Sequence, residues 1–396
     1  MFLWAFARIA YKVYKSELVK PKRAFALYLA FLGDFVLGIE FVALPIKGYL
    51  LGANPLEIGL LGGLSSALYS FMPLMAGRIG DRIGSKVPIT LFLITYPGIT
   101  AVYFVSRSLN LLMIARVVEG MEWPFYWPSL ESTAAISGGR KGLRNYNLSW
   151  GIGALAGPFA GGALVYAIGP SETFAAITLI VIVSAMLSIF LFKGEKEVKV
   201  LEKDGKGTVN AMYFLAAFGY GFAGTGFLSY FPVTAYRLGI SSLYVGSYEA
   251  LMGFFRVAAM VGTGEALDRI GNKIVRNLSL SLLAAFIAPL GLMLGSWFWG
   301  VSPSLLGLFL GMAYAMSIHG VLEGEGSRGT KAGIFESTIG AGSFLGPVFL
   351  GFSASYFIHY VYSPYIMLTI SGVLIAAATV AASRAKLSLR NTRSEQ

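Results

Sequence analysis

The chain has no cysteine, two histidines and few charges: 31 Lys and Arg with 20 Asp and Glu make up 13% of 396 residues. Without cysteine there is no thiol chemistry and no Cys-based metal site. The shortage of charge excludes more. A soluble globular chain carries about 25% charged residues, and a chain of this length needs that polar coat to cover its surface. Here hydrophobic residues reach 56%, and the mean hydropathy is +0.68. The 49 glycines, 29 phenylalanines and 21 tyrosines point the same way. Glycine is more frequent in membrane helices, and aromatics collect at their ends. These figures describe an integral membrane protein and exclude the disordered, collagen-like and disulfide-rich classes.

A bilayer core needs about 20 apolar residues per helix, and the chain divides at that rhythm. Spans are expected at 24–46, 57–79, 87–106, 109–131, 145–168, 172–192, 210–236, 244–266, 275–296, 304–322, 333–359 and 363–384. The net charge of +11 would suggest nucleic acid in a soluble protein, but its distribution excludes that partner. With the N-terminus inside, basic residues divide about 26 to 3 in favour of the inner loops. The positive-inside rule then reads both termini as cytoplasmic in a multi-pass cell-membrane protein. Residues 1–23 carry one stripe of Phe2, Phe6, Ile9 and Val13 and another of Arg8, Lys12 and Lys15. That pattern suits an amphipathic helix in the cytoplasmic interface, and no signal peptide is recognisable there.

The chain is a duplication. Gly77-Arg78-Ile79-Gly80-Asp81-Arg82-Ile83-Gly84-Ser85-Lys86 follows the second span, and Gly264-Glu265-Ala266-Leu267-Asp268-Arg269-Ile270-Gly271-Asn272-Lys273 follows the eighth. Both read GxxxDRIGxK, 187 positions apart. The glycines allow tight turns and close helix approach, and an Asp near a helix N-terminus is favoured by the dipole. Residues 193–209, dense in Lys, Glu and Gly, form the expected cytoplasmic linker between bundles at 24–192 and 210–384, with a tail at 385–396.

With twelve spans, two six-helix halves, a charged linker and that loop motif in both halves, the chain resembles the major facilitator superfamily. The resemblance covers almost the whole sequence. It implies an all-α membrane fold of two six-helix bundles related by a pseudo-two-fold axis, working by alternating access. It also implies a substrate cavity at the midplane, lined by spans one, four, seven and ten. The loop residues Gly77, Asp81, Arg82, Gly84 and Lys86, with Gly264, Asp268, Arg269 and Gly271, then act in conformational switching. In the fifth span Gly153, Gly157, Pro158, Gly161 and Gly162 give GxxxGPxxGG. Their spacing makes one smooth helix face, and Pro158 loosens a backbone bond. The family pattern they resemble is typical of antiporters, especially drug/proton exporters. The second half keeps Gly342, Gly346 and Pro347 but has Leu350 where the paired glycines begin.

Arg116-Val117-Val118-Glu119-Gly120 in the fourth span resembles the family's RxxQG element, with Glu119 for the usual Gln. On a helical wheel Arg116, Glu119, Glu122, Trp123, Tyr126 and Trp127 fall within about 140°. Charges cost a few kcal/mol at the bilayer centre, so this face must meet protein or a wet cavity. A buried structural ion-pair network is the plainer reading of the same face. Asp34 lies about 15 Å along the first span, at the depth expected of Arg116, with Glu40 about 120° further round and nearer the outside. Low dielectric disfavours a charged carboxylate, whereas a neighbouring Arg favours it, so relative movement could load and release a proton. Asp34 is thus expected to be the principal proton carrier, with Arg116 tuning it and Glu40, Glu119 and Glu122 as further coupling groups.

Tyr213, Tyr220 and Phe227 of the seventh span, with Tyr314 and His319 of the tenth, join Trp123, Tyr126 and Trp127 as candidate cavity residues. Helix packing is the alternative for the aromatics. Glu249 and Arg256, seven apart on the eighth span, read as structural. No metal or cofactor site is expected, and no HExxH or Walker P-loop suggests an enzyme. The sequence therefore points to a monomeric, proton-coupled antiporter exporting amphipathic small molecules. An uptake symporter or facilitator for a polar solute, such as a sugar or organic anion, is the alternative.

Overall fold

The computed structural model describes residues 21–72, 85–191, 211–270, 274–322, 328–356 and 361–394. Backbone polar groups in a bilayer must be satisfied within the segment, and the described residues are accordingly helical. The α-helices are α1 (Pro21–Leu50), α2 (Pro55–Tyr69), α3 (Lys86–Val105), α4 (Leu109–Ile168), α5 (Pro170–Leu191), α6 (Ala211–Arg237), α7 (Ser242–Ile270), α8 (Ile274–Ile287), α9 (Phe298–Leu322), α10 (Arg328–Tyr356) and α11 (Ser363–Ser394). A 3-10 helix, Ala288–Leu294, extends α8.

Ten described segments are long and apolar enough to cross a membrane. The described part of α2 is too short for that test at 15 residues, and the first leg of α4 carries Arg116, Glu119 and Glu122 close together. With these two the crossings number twelve. The 60 residues of α4 would span about 90 Å if straight, far beyond a bilayer. They double back instead. A Cβ at Gly142 would fall within 3.0 Å of the Ala134 carbonyl oxygen, although eight residues of straight helix span about 12 Å. The fourth and fifth expected spans are thus two antiparallel legs of α4.

Local chemistry sets the ends. Gly52 turns the chain between α1 and α2 at φ +86°, and Gly239, 187 positions later, turns it between α6 and α7 at φ +74°. Both values lie where only glycine is free of Cβ strain. Asn54 then starts α2 with a capping box: its side chain accepts from the Glu57 N–H, and the Glu57 carboxylate accepts from the Asn54 N–H. Lys47, 3% exposed, donates to the Tyr103 and Phe104 carbonyls at the end of α3. A buried cation therefore satisfies carbonyls that the helix itself leaves unpaired.

The two bundles repeat the same backbone contacts. Cβ atoms at Gly153 and Gly157 would press within 3.0 Å of the Phe31 and Phe35 carbonyl oxygens of α1. In the second bundle Gly342 and Gly346 meet Phe218 and Phe222 of α6 in the same way. Gly120 lies against Ser65 and Gly307 against Met252. Between bundles the pairing is reciprocal: Gly59 of α2 meets the Pro347 carbonyl of α10, and Gly246 of α7 meets the Pro158 carbonyl of α4. The halves thus pack as two six-helix bundles about a pseudo-two-fold axis.

At the Leu50 end, the Tyr230 hydroxyl on α6 reaches both the Pro55 and Pro347 carbonyls, at 2.8 and 3.0 Å. Toward the opposite end, the Tyr69 hydroxyl donates to Glu336 of α10 at 3.4 Å. The α2–α10 seam is therefore tied along its length. The linker at 193–209 and the N-terminal stripes fall outside the described residues. The apolar stretch of the last crossing ends at Ser383, and α11 continues beyond it through Ser394.

Candidate functional site

Four helices converge on a buried ion cluster. Arg116, Glu119 and Trp123 stand at i, i+3 and i+7 on one face of the first leg of α4, where such spacings bring side chains together. Tyr96 and Tyr103 stand at i, i+7 on α3. Glu119 is 0% exposed and accepts from three donors. The Tyr103 hydroxyl and Arg116 Nη1 each reach Oε2 at 2.5 Å, and Trp123 Nε1 reaches Oε1 at 2.8 Å. Arg116 also donates through Nε to the Leu61 carbonyl of α2 at 2.9 Å.

Glu40 of α1, also buried, completes the cluster. Its Oε1 accepts from the Tyr96 hydroxyl at 2.5 Å, and its Oε2 lies 3.6 Å from Arg116 Nη1 with no hydrogen-bond partner. Glu40 and Arg116 line a cavity of about 10 Å³, with Leu37, Phe41, Leu61, Gly62 and Ser229 among its other walls. That is room for one water. Aromatic rings shield the cluster on its other flank. Trp123 stacks on Trp127 at 5.7 Å and packs edge-on against Tyr96 and Tyr126.

Arg116 therefore pairs with Glu40 and Glu119, and not with Asp34 as depth alone suggested. Asp34 lies six residues, about 9 Å along the helix, from Glu40 and faces a second cavity. This one, of about 50 Å³, has room for a few waters and lies between the bundles. Its walls include Asp34, Leu37, Gly38 and Phe41 of α1, Ala154 and Pro158 of α4, Leu228 of α6, and Glu249, Met252, Gly253 and Arg256 of α7. Arg256 is the cation within electrostatic range of Asp34. Leu37 and Phe41 form a wall common to both cavities.

The remaining expected residues divide clearly. Glu122 sits beside Thr95 of α3 and lines neither cavity. Trp123 and Tyr126 are core in this conformation, with their polar tips engaged by Glu119 and by the Leu29 carbonyl. Trp127 packs over Gly33. Tyr220 and Tyr314 pair at 5.1 Å, and Phe227, fully buried, stacks on Phe231 at 4.8 Å. Tyr213 packs against Gly320, and His319 is half-buried on α9. Gly77, Asp81, Arg82, Gly84 and Gly271 lie outside the described residues, as do the side chains of Asp268 and Arg269. Lys86 opens α3, and Gly264 has open space around it. Gly153, Gly157 and Gly161 press on α1, whereas Gly162 presses on Ser242 and Gly246 of α7.

Sequence reasoning missed Tyr96 and Tyr103, whose seven-residue spacing marks one face of α3. It also read Glu249 and Arg256 without seeing that Asp34 meets them from the other half.

Comparisons with known proteins bear on this geometry. Residues 24–347 match the model of the Major Facilitator Superfamily. An uncharacterized MFS-type transporter of Methanocaldococcus jannaschii is 25% identical over 348 residues, covering 81% of this chain and 88% of its own. The quinolone resistance protein NorA of Staphylococcus aureus is 27% identical over 142 residues, only 35% of this chain and 36% of NorA. Among solved structures, a mutant of the nucleoside transporter NupG superimposes with a TM-score of 0.75 at 14% identity, covering 91% of this chain and 99% of that one. A bacterial homologue of the human lysosomal transporter Spinster, inward-facing and occupied, gives 0.71 at 17% identity, covering 94% and 97%. At those identities the likeness is one of fold.

Proposed function

The chain belongs to the Major Facilitator Superfamily and is a multi-pass membrane transporter of small molecules; from that premise we propose that it is a proton-coupled antiporter that exports amphipathic compounds. The observation that carries this reading is the charge balance of the buried cluster. Two carboxylates, Glu40 and Glu119, share one guanidinium, Arg116. An unbalanced charge in the membrane core is expensive, so the cluster is neutral only with one added proton. Glu119, with three donors, is the ionised partner of Arg116. Glu40, with one donor and an oxygen facing the small cavity, takes the proton. Asp34, on the other side of the Leu37–Phe41 wall, belongs to the substrate side.

The glycine-lined contact of Gly162 with Gly246 lets the bundles separate and close, and the GxxxDRIGxK loops at Asp81 and Asp268 act as conformational latches. In the same reading the protein is a monomer of the cell membrane with both termini cytoplasmic, divided by the linker at 193–209. The partial similarity to NorA supports the drug-export branch.

The test is flux in proteoliposomes. Ethidium should accumulate when an imposed pH gradient drives protons the opposite way, and a protonophore should abolish that accumulation. Glu40→Gln should still permit downhill exchange but lose the response to the gradient. Flux that ignores the gradient in the native protein would make it a facilitator and end the antiporter reading.

A further inference from the structure

The three charges of the larger cavity have uncharged counterparts in the repeat. The 187-position offset carries Glu249 and Arg256 back to Gly62 and Tyr69, and carries Asp34 forward to Gly221. Backbone contacts around them are duplicated, as Gly59 with Pro347 and Gly246 with Pro158 demonstrate. The charges are not duplicated, yet all three gather on one cavity between the bundles. A packing role would not require that convergence.

Their charges do not cancel. Arg256 offsets Asp34, and the Nε of Arg256 is buried without a partner. Glu249 is left over. It is 2% exposed, and neither of its carboxylate oxygens has a hydrogen-bond partner. The groups facing it are Asp34 on α1, Arg256 on its own helix and Tyr365 on α11. Ala154 and Pro158 of α4 and Leu228 of α6 are uncharged, and α9, which sets Gly300, Gly307 and Gly311 against Tyr248, Met252 and Arg256, carries no Asp, Glu, Lys or Arg. Among the described residues no cation besides Arg256 faces Glu249. One positive charge must come from outside, as a proton or as a monovalent ligand, because a buried carboxylate without a partner is costly.

We propose that this cavity is the head-group site for a monovalent organic cation, such as a protonated amine, with Glu249 as its ion-pair acceptor. The inference rests on the transport reading above and names the substrate class. At about 50 Å³ the cavity has room for an ammonium group, and Leu37, Phe41, Leu228 and Met252 wall it with carbon. Asp34 and Arg256 flank the site as a neutral pair drawn from both bundles, so the ligand touches both halves at once. Arg256 in the same cavity opposes a divalent metal ion. A proton and the ligand compete for one carboxylate.

Equilibrium binding to the full chain in nanodiscs, without any gradient, tests this with three probes that share a tail: 4-phenylbutylamine, 4-phenylbutanol and 4-phenylbutyrate. The amine should bind at least about tenfold more tightly than the alcohol, the carboxylate should bind most weakly, and acid should shrink the amine's advantage. Glu249→Gln should cut that advantage to about twofold or less, and Glu249→Asp should keep part of it. Should Glu249→Gln fail to fold, Asp34→Asn gives an independent reading: by removing the counter-charge of Arg256 it should shift preference toward the carboxylate. Equal binding of the three probes, a native preference for the carboxylate, or an amine preference that survives Glu249→Gln overturns the proposal. A protein that prefers the amine but shows no proton-driven transport upholds this site and removes the coupling reading alone.

Discussion

The two bundles are alike in backbone and unlike in charge. In the first, α1 and the first leg of α4 enclose Glu40, Arg116 and Glu119. The same offset places Phe227, Pro303 and Leu306 in the second, where Phe227 stacks on Phe231 and Phe231 packs against Trp299. Close-approach glycines recur because they fix how near two helices can come, and both halves need the same spacing to move as rigid partners. The charges of the cluster do not recur at the offset positions. One position reverses the pattern of volume: Ile39 faces Gly161 in the first bundle, whereas Gly226 faces Leu350 in the second. The large residue has changed helices, so the second copy of the glycine motif is compensated and not eroded.

This comparison can be broken most severely at Arg116. We predict that Arg116→Ala destabilises the protein by about 3–5 kcal/mol, because it strands the ionised Glu119 in the core and removes the guanidinium from Glu40. Replacing the cluster as a whole, with Glu40→Leu, Arg116→Met and Glu119→Leu together, should return much of that stability while abolishing gradient-driven transport. Unfolding in mixed micelles and proteoliposome flux separate the two effects. A triple variant that stays as unstable as Arg116→Ala would mean the cluster is needed for the fold.

Next come the glycines that meet a carbonyl across the bundle seam. Gly59→Val and Gly246→Val should each cost about 3 kcal/mol from overpacking. The two losses should agree closely, since the contacts are symmetry-related. Gly262→Ala, where no atom lies within 4 Å, serves as the control and should be neutral or slightly stabilising. Unequal losses at Gly59 and Gly246 would argue that the seams are not equivalent.

The volume exchange gives a smaller effect. Ile39→Gly and Gly161→Leu should each destabilise, and the double variant should recover about 1 kcal/mol relative to their sum. Simple additivity in that double-mutant cycle would contradict the compensation. Smallest of all, Tyr230→Phe removes one hydroxyl from the Pro55 and Pro347 carbonyls and should cost about 1 kcal/mol. Because the bond ties the seam at the Leu50 end, the variant should open more readily there. Faster labelling of a cysteine introduced at Leu50 would register that opening, and unchanged labelling would count against the tie.

Much of this architecture was legible in the sequence. Apolar length located the crossings, and the repeated GxxxDRIGxK set the 187-position offset that relates Gly59 to Gly246, Gly120 to Gly307 and Phe31 to Phe218. The fifth-span motif at Gly153 and Gly157 recurs two positions later, at Gly342 and Gly346. The glycine spacing 153, 157, 161 named a smooth helix face, and that face is the one pressed on α1. The site was legible in its residue types but not in its pairing. Depth along a helix placed Asp34 level with Arg116, yet depth says nothing about rotation. Glu40, a turn and a half further on, is the acid that turns toward Arg116. Asp34 turns toward Arg256, a partner from the other bundle that only the tertiary arrangement reveals. Trp123 and Tyr126 were read as cavity walls because of their chemistry, but their polar tips are consumed by Glu119 and Leu29.

The central claim is that Glu40 holds a proton in a cluster whose only cation is already matched by Glu119. Infrared difference spectroscopy of the native protein against Glu40→Gln reads this directly at neutral pH. The account predicts that the native-minus-Glu40→Gln difference contains the carbonyl band of one protonated carboxylic acid, while any Glu249 band is common to both and cancels. A difference spectrum without that band would contradict it.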